Sequence, residues 1–290
     1  GVEQRLDLLK KAHDPDLLVM TATPIPRSLT MTLFGDMSVS RLTTKPQNRP
    51  EITTIVKHTS KTNEVIESLN RKIENGERVY WICPLIEAAE EKTEFDSADA
   101  ISRYMSLKEI FHDQVGLVHG KLSPEEKDAM MQQFKEGKIS ILVATTVIEV
   151  GIDVPEATLI IIENAERFGL AQLHQLRGRV GRGTLPSFCI LLYAFASAVS
   201  KERLSIMRSS TDGFYISEQD LILRGGGEIL GTKQSGSQDF RFADLSSDLN
   251  LLVKCNEQAT NVIKDGNSNP DLEFITKFFH QRINLSEKII

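Results

Sequence analysis

The chain has 290 residues, of which 40% are hydrophobic and 26% are charged, and its formal net charge is −6. This length predicts about two domains, and the composition excludes a membrane protein, because no apolar run approaches the roughly 18 residues of a membrane span. The acidic balance argues mildly against a nucleic-acid partner, although proteins also bind phosphates through local N–H groups and a few arginines.

Cysteine usage indicates a reducing compartment. Cys83, Cys189 and Cys255 lie far apart and outside any metal-ligand spacing, so we interpret them as buried thiols. No secretory signal pattern opens the chain. We therefore expect a cytoplasmic protein with no membrane partner and no metal site.

The first 50 residues predict a short αβα segment followed by a linker. We expect a helix, a strand at 17–21 and a second helix at 26–34 within residues 1–45. Residues 46–50 are polar and include two prolines, which is typical of an interdomain linker.

Residues 51–195 alternate between strand and helix patterns, which predicts an α/β fold with a parallel sheet and helices on both faces. In such sheets, ligands bind at the carboxyl ends of the strands. Ser123, Pro124 and Glu126 form a clear helix start, and that helix should end at Gly137. The expected strands are 51–57, 78–83, 114–118, 139–143, 157–162 and 187–193, and the other expected helices are 61–75, 97–112 and 170–178.

Residues 196–290 predict a helical region. Helices at 197–210 and 216–223 are joined by a polar Ser-Ser-Thr-Asp-Gly turn, which favours a helical hairpin. Two further helices are expected at 246–264 and 270–284, on either side of a turn that contains glycine and proline.

Three arginines, Arg177, Arg179 and Arg182, lie within six positions and alternate with glycines. The planar guanidinium group matches phosphate oxygens, and glycine allows a backbone to approach a bulky anion. The cluster therefore predicts contact with the terminal phosphate of a nucleotide. An arginine- and glycine-rich surface turn is the alternative, and Arg177 could instead be a structural salt-bridge partner.

A second candidate site follows the strand at 139–143. Thr145 and Thr146 end this strand and offer hydroxyl and backbone N–H groups to an anion, such as a nucleic-acid phosphate. Gly151 and Asp153 then form a turn whose carboxylate suits a ribose hydroxyl. A threonine helix cap and an ordinary loop aspartate are the alternatives.

These stretches resemble known helicase motifs. Residues 145–155 and 175–183 resemble motifs V and VI of superfamily 2 helicases, and residues 18–27 (Leu-Val-Met-Thr-Ala-Thr-Pro-Ile-Pro-Arg) resemble motif III. Residues 80–87 and 163–175 are similar to the RecG family of ATP-dependent DNA helicases. Residues 212–214, 220–228 and 231–236 resemble the translocation motif of that family, although Gly226 stands where the family usually has proline.

The resemblance implies a RecA-like fold, ATP and Mg²⁺ as cofactors of the full-length protein, and branched DNA as its partner. It also implies a role for each candidate residue. Arg179 and Arg182 would be arginine fingers, and Gln175 would couple the nucleotide to the DNA. Gly151 would bind the nucleotide, and Asp153 would contact either its ribose or the arginine fingers. Thr145, Thr146, His119 and Gly120 would contact DNA phosphates, although His119 could instead be a loop residue. Coupling of the two sites would fall to Thr21, Thr23, Arg224 and Gln234.

The sequence contains no Gly-x-x-x-x-Gly-Lys-Ser/Thr phosphate loop and no acidic magnesium box. In the family both belong to the first motor domain. We therefore expect a monomeric C-terminal fragment: a remnant of motor domain 1 (1–45), a linker (46–50), motor domain 2 (51–195) and a translocation region (196–290), without the N-terminal wedge domain. Alone it should not hydrolyse ATP or hold a cofactor tightly.

The full-length protein would remodel stalled replication forks and Holliday junctions. Two alternatives stay open from the sequence. The protein could be the transcription-repair coupling factor translocase, which shares the translocation motif, or the chain could be a non-catalytic DNA-binding fragment.

Overall fold

A computed structural model describes residues 18, 20–21, 40–44, 49–84, 98–145, 153–224 and 249–265. The chain divides into two compact units, residues 1–25 with 41–224 and residues 26–40 with 225–290. The predicted domain boundaries at residues 45, 50 and 195 stay a prediction. No helix in the described ranges is long and apolar enough to cross a membrane.

In the first unit, strands and helices alternate along the chain, as the sequence predicts. The strands are β1 (Thr53–His58), β2 (Arg78–Ile82), β3 (Val115–Val118), β4 (Ile141–Ala144), β5 (Ala157–Ile162) and β6 (Phe188–Tyr193). The helices are α1 (Thr62–Glu74), α2 (Ala98–Phe111), α3 (Pro124–Glu136), α4 (Leu170–Arg177), α5 (Ala198–Ser209) and α6 (Gly213–Arg224). In the second unit the structure describes Ser40 and α7 (Leu249–Asp265).

The six strands form one parallel sheet in the order β1-β6-β5-β2-β4-β3. Four inner strands are paired on both edges, and helices cover both faces of the sheet, so the side chains of these strands are buried on both faces. All six residues of β5 are buried, which explains why five of them are apolar. This confirms the predicted α/β fold with a parallel sheet and helices on both faces.

Alternate residues of each inner strand supply two separate core layers. The Tyr80 layer contains Tyr80, Leu142 and Ile160, and it is covered by α3, α4, α5 and α6. The Trp81 layer contains Trp81 and Val143 and is covered by α1 and α2. Because side chains alternate across a strand, the two layers lie on opposite faces of the same sheet and share its strands.

Local sequence signals set the ends of α3. The Ser123 hydroxyl accepts a hydrogen bond from the Glu126 N–H at 3.2 Å, and the Glu126 carboxylate accepts one from the Ser123 N–H at 2.8 Å. Gly137 ends the helix with a φ of 77°, in the left-handed region. Both predicted ends are confirmed, because a capping box and a left-handed glycine satisfy backbone groups that the helix leaves unpaired.

Two expectations from the sequence are wrong. In the segment at 17–21, Leu18, Met20 and Thr21 lie outside any strand, and Leu18 is 79% exposed. No strand in the described part of the chain pairs with this segment, and an apolar run needs neighbours on its edges to form a buried strand. Cys83 and Cys189 are buried, but Cys255 is exposed on α7.

Several other expected elements lie outside the described residues. These are the helices at 26–34 and 270–284 and the helix before residue 17.

Candidate functional site

The candidate residues gather at two opposite edges of the sheet. The arginine loop, residues 178–183, lies at the edge formed by the amino ends of the strands, called the amino edge below; the opposite edge, formed by their carboxyl ends, is the carboxyl edge. A Cβ on Gly181 would lie 2.8 Å from Ile52 Cγ1, and one on Gly183 would lie 2.6 Å from the Pro155 carbonyl oxygen. Ile52 directly precedes β1, and Pro155 precedes β5 by two residues. The glycines are therefore needed here because the loop backbone touches the starts of two strands.

Arg182 and Asp153 form an ion pair at this amino edge. Arg182 Nη1 donates to Asp153 Oδ1 at 3.2 Å, and Arg182 Nε donates to the Gly178 carbonyl at 3.1 Å. The two side chains are 32% and 60% exposed, so the guanidinium is oriented by the protein yet can still meet an anion from solvent. A fixed, accessible guanidinium of this kind suits the charge of a phosphate.

Arg179 lies in the same corner as this ion pair. Burial raises the pKa of the Tyr80 phenol to about 12, whereas the positive charges of Arg179 and Arg182 lower that pKa and the Asp153 carboxylate raises it. All three charges therefore act on one buried phenol in the middle of β2. Arg179 is half-buried, so this part of the amino edge carries two guanidinium groups and one carboxylate.

Arg177 occupies a different environment from the other two arginines. It is 2% exposed and is the last residue of α4. Nη1 donates to the carbonyl oxygens of Met207 and Ser210, both at 2.8 Å, and to Thr54 Oγ1 at 3.3 Å. Nη2 lies 3.1 Å from His174 Nδ1. Among the described residues no carboxylate forms an ion pair with Arg177, so it is a structural residue without the salt bridge considered from the sequence.

Gln175 lies in the last turn of α4, three residues before the arginine loop. Leu170, Leu173 and Leu176 are buried and hold the helix against the sheet. Gln175 is half-buried on a neighbouring face of the helix. The helix therefore links the carboxyl end of β5, where the chain enters it, to the arginine loop at the amino edge.

The carboxyl edge carries the second group of candidates. Thr145 follows β4, and its N–H donates to the Val118 carbonyl of neighbouring β3 at 3.2 Å. The Thr145 side chain is 1% exposed, and its hydroxyl has no hydrogen-bond partner among the described residues. A buried hydroxyl without a partner costs free energy unless a ligand or a water molecule satisfies it.

His119 and Gly120 follow β3 at the same edge. His119 Nδ1 accepts a hydrogen bond from the Lys121 N–H at 3.3 Å, and the exposed Gly120 carbonyl accepts one from Lys127 Nζ at 3.2 Å. Burial, and then the charges of Lys121 and Lys127, lower the pKa of His119 below 6.5. Because Nδ1 accepts, neutral His119 carries its proton on Nε2, which can donate to an anion.

The structure thus brings together Arg179, Arg182 and Asp153 at one edge, and Thr145, His119 and Gly120 at the other. Thr21 is exposed, and Arg224 is the last residue of α6. Thr23, Thr146, Gly151 and Gln234 lie outside the described residues. The roles assigned to all of these residues stay predictions.

Sequence reasoning missed one polar network beside α4. The Glu166 carboxylate accepts hydrogen bonds from the Ala194 and Phe195 N–H groups at 3.2 and 3.4 Å. Arg203 of α5 donates to the carbonyl oxygens of Phe168 and Glu166 at 2.9 and 3.2 Å. These bonds hold the turn before α4 against both the segment that follows β6 and helix α5. No periodicity or motif spacing singles out Arg203, so only the fold could reveal this contact.

A second network that the sequence did not predict lies at the carboxyl end of β5. Glu163 accepts hydrogen bonds from the Trp81 indole N–H and from Arg103 Nε. The Arg103 guanidinium also lies 5.3 Å from the Trp81 ring centroid. Trp81 is a fully buried core residue, and its N–H is bonded to a carboxylate at the sheet edge.

Two family models match the chain. A helicase conserved C-terminal domain matches residues 60–184, and the model described as ATP-dependent DNA helicase RecG, domain 3, C-terminal, matches residues 210–285. The first ends within one residue of the arginine loop, and the second begins at the turn between α5 and α6. Together they cover most of the described residues.

Curated relatives give the same result. The chain is 46% identical over 294 residues to the ATP-dependent DNA helicase RecG of Pasteurella multocida, covering 99% of this chain and 41% of the relative. It is 45% identical over 268 residues to that of Escherichia coli K12, covering 90% of this chain and 38% of the relative. The chain therefore spans about two fifths of the length of these relatives.

A solved structure of RecG bound to a three-way DNA junction is 44% identical, with a TM-score of 0.64. The match covers 82% of this chain and 30% of that chain.

Proposed function

The chain belongs to the RecG family of ATP-dependent DNA helicases, and we propose that it acts as the second motor domain of an enzyme that remodels stalled replication forks and Holliday junctions. The support is the family match together with the two groups of candidate residues at opposite sheet edges. In this proposal one group contacts the nucleotide and the other contacts DNA.

At the amino edge, Arg179 and Arg182 would bind the terminal phosphate of ATP. The observation that carries this assignment is the Arg182–Asp153 ion pair, because it holds a part-exposed guanidinium in a fixed direction next to a second arginine. An arginine placed at the transferred phosphate stabilises charge in the transition state and can raise turnover by about 10³–10⁵ in related systems. Asp153, with Gly151, would also contact the nucleotide.

The phosphate loop and the Mg²⁺ ligands would come from a first motor domain. Among the described residues, no group of three or more His, Cys, Asp or Glu side chains could hold a metal ion, and the sequence has no phosphate-loop pattern. The residues of this chain would then bind, orient and neutralise the phosphates rather than hold the metal. We expect the chain alone to show no ATP turnover and no tight cofactor binding.

At the carboxyl edge, Thr145, Thr146, His119 and Gly120 would contact the DNA backbone. A relative was solved with a three-way DNA junction, which supports branched DNA as the partner of this chain as well. The buried Thr145 hydroxyl and the Nε2–H of His119 are donors that suit phosphate oxygens. Thr21, Thr23, Arg224 and Gln234 would link this edge to the nucleotide. We expect a cytoplasmic monomer.

The decisive experiment uses the protein that joins this chain to a first motor domain. Arg182→Ala and Arg179→Ala should each lower DNA-stimulated ATP turnover by about 10³-fold or more, while the Kd for forked DNA stays within about twofold, a free-energy change well below 1 kcal/mol. The matched control is Arg208→Ala, because Arg208 is exposed on α5 and remote from the arginine loop in sequence.

Two results would contradict the proposal. Equal losses of DNA affinity and turnover would indicate that the arginines contact the DNA and not the nucleotide. ATP turnover by the chain on its own would contradict the proposal that the phosphate loop and the Mg²⁺ ligands come from a first motor domain.

A further inference from the structure

Arg177 is a buried cation that the proposed function does not use. It is 2% exposed, and none of the salt bridges among the described residues involves its guanidinium. Removing such a charge from water costs several kcal/mol, and an ion pair often fails to recover that cost. Apolar side chains in place of buried charges are often neutral or stabilising. Fold stability by itself is therefore a weak reason for an arginine here.

The contacts of Arg177 join two other parts of the fold to α4. Its guanidinium donates to the Met207 and Ser210 carbonyls at the end of α5, and to the Thr54 hydroxyl of β1. Its second terminal nitrogen meets His174 one turn earlier in α4. Since the guanidinium is planar and its N–H groups have fixed directions, these contacts fix both the distance and the angle between the ends of α4 and α5.

Both helix ends adjoin segments that the proposed function uses. Arg177 is followed directly by Gly178, where the arginine loop begins. Ser210 directly follows α5, and α6 starts three residues later at Gly213 and ends at Arg224. The α5 carbonyls are unpaired groups at the negative end of a helix, where a cation binds favourably. A displacement of the arginine loop would therefore act on the start of α6 through one side chain.

We propose that Arg177 is a positioning residue that couples the arginine loop to α5 and α6, so that movement of the loop at a nucleotide phosphate changes the position of these helices. This inference rests on the proposed function, in which the loop contacts ATP. A plain helix cap would be the other explanation of the same contacts. The two differ in what Arg177→Lys does, because lysine keeps the charge and can cap one carbonyl, but it cannot make all four contacts at once.

The first test uses the protein that joins this chain to a first motor domain. Arg177→Lys should lower the number of base pairs unwound per ATP hydrolysed by about 5- to 150-fold, the usual range of coupling between two sites. DNA-stimulated ATP turnover should stay within about twofold, within the scatter of a surface substitution. Arg208→Lys makes the same chemical change at an exposed position of α5 and should alter neither quantity.

An unchanged yield of unwinding per ATP would overturn the coupling role. So would a parallel loss of turnover, unwinding and Tm, which is the result of a plain cap. If the wild-type protein neither hydrolysed ATP nor unwound forked DNA, the proposed function would fail, and that result is visible before any variant is compared.

A second test needs no activity and uses this chain by itself. Asp153→Asn removes the carboxylate that holds Arg182 and so loosens the arginine loop. Amide hydrogen exchange at Ser210, whose N–H is bonded to the Ile206 carbonyl at 3.1 Å, should become faster in Asp153→Asn than in wild type. The same substitution in the Arg177→Lys background should add no further change. An equal change in both backgrounds would show that Arg177 does not transmit the movement.

Discussion

Three arginines with the same local sequence pattern have three different surroundings. Arg177 is buried and bonded to carbonyls, Arg182 is part-exposed and paired with Asp153, and Arg179 is half-buried in the same corner as that pair. A guanidinium that is already satisfied by the fold cannot turn to a ligand, whereas one with exposed N–H groups can. Burial and partners, rather than residue type, therefore separate the structural arginine from the two candidates for phosphate contact.

His119 gives a prediction on pH dependence at the residue scale. Its pKa in the folded protein is lowered by burial and by Lys121 and Lys127, so the folded state binds this proton less readily than the unfolded chain. The His119 contribution to stability is therefore complete above pH 6.5 and is lost as the pH falls through 6.5 towards the lowered value. His119→Gln, whose amide oxygen can still accept from Lys121, should remove this part of the acid sensitivity.

The measurement is the denaturant midpoint between pH 5 and pH 8. His112→Asn is the control, because His112 is exposed and has a φ of 52°, which asparagine tolerates. If wild type and His119→Gln lose stability equally on acidification, His119 is not the responsible group.

At the scale of elements, the arginine loop owes its position to backbone contact. Gly183 lies so close to Pro155 that a Cβ would be 2.6 Å from the carbonyl oxygen and 3.4 Å from the carbonyl carbon. Backbone cannot move aside as a flexible side chain does. The arginine loop and the segment that carries Asp153 are therefore fixed to each other, which keeps Arg182 within reach of its partner.

Gly183→Ala should consequently destabilise the protein by about 1–3 kcal/mol, the usual cost of forcing extra atoms into a packed site. Gly178→Ala is the matched control in the same loop. Gly178 has a φ of −67°, which alanine adopts readily. A Cβ on Gly178 would lie 3.3 Å from its nearest neighbour, the Gln175 carbonyl oxygen. Denaturant unfolding measures both variants, and an equal loss in the two would mean that the Pro155 contact is not the cause.

At the scale of the whole molecule, one sheet divides the core of the first unit into the Tyr80 layer and the Trp81 layer. Both layers use alternate residues of the same strands, so unfolding of these strands disrupts both layers at once. We therefore expect the two layers to unfold in one transition.

The chain has a single tryptophan, so emission from Trp81 reports on the Trp81 layer alone. Phe134→Ala, in the opposite layer, should lower the unfolding free energy seen by Trp81 by about 3–5 kcal/mol, and Leu107→Ala, in the same layer, by about 2–5 kcal/mol. Ser102→Ala, exposed on α2, should change it by about 0.5 kcal/mol or less. A Trp81 transition unaffected by Phe134→Ala would show that the layers unfold separately.

The sequence by itself determined the features that depend on neighbours along the chain. Apolar runs such as β5, the Ser123–Glu126 capping box and the left-handed Gly137 are set by local geometry, and the α/β alternation follows from them. The motif resemblance led to the correct family for the same reason, since the motifs are continuous stretches. The strand expected at 17–21 failed because a strand depends on partners that the local sequence does not contain.

Only the tertiary structure decided which distant residues meet. The resemblance left Asp153 between the ribose and the arginine fingers, and the structure pairs it with Arg182, 29 positions away. Glu166 and Arg203 are 37 positions apart, and no local pattern could pair them. The tertiary structure also placed the arginine loop at the amino edge of the sheet, whereas the general rule for parallel sheets directs attention to the carboxyl edge. The physical reason is that α4 runs back across the sheet from the end of β5, and its length sets the edge at which the arginines emerge.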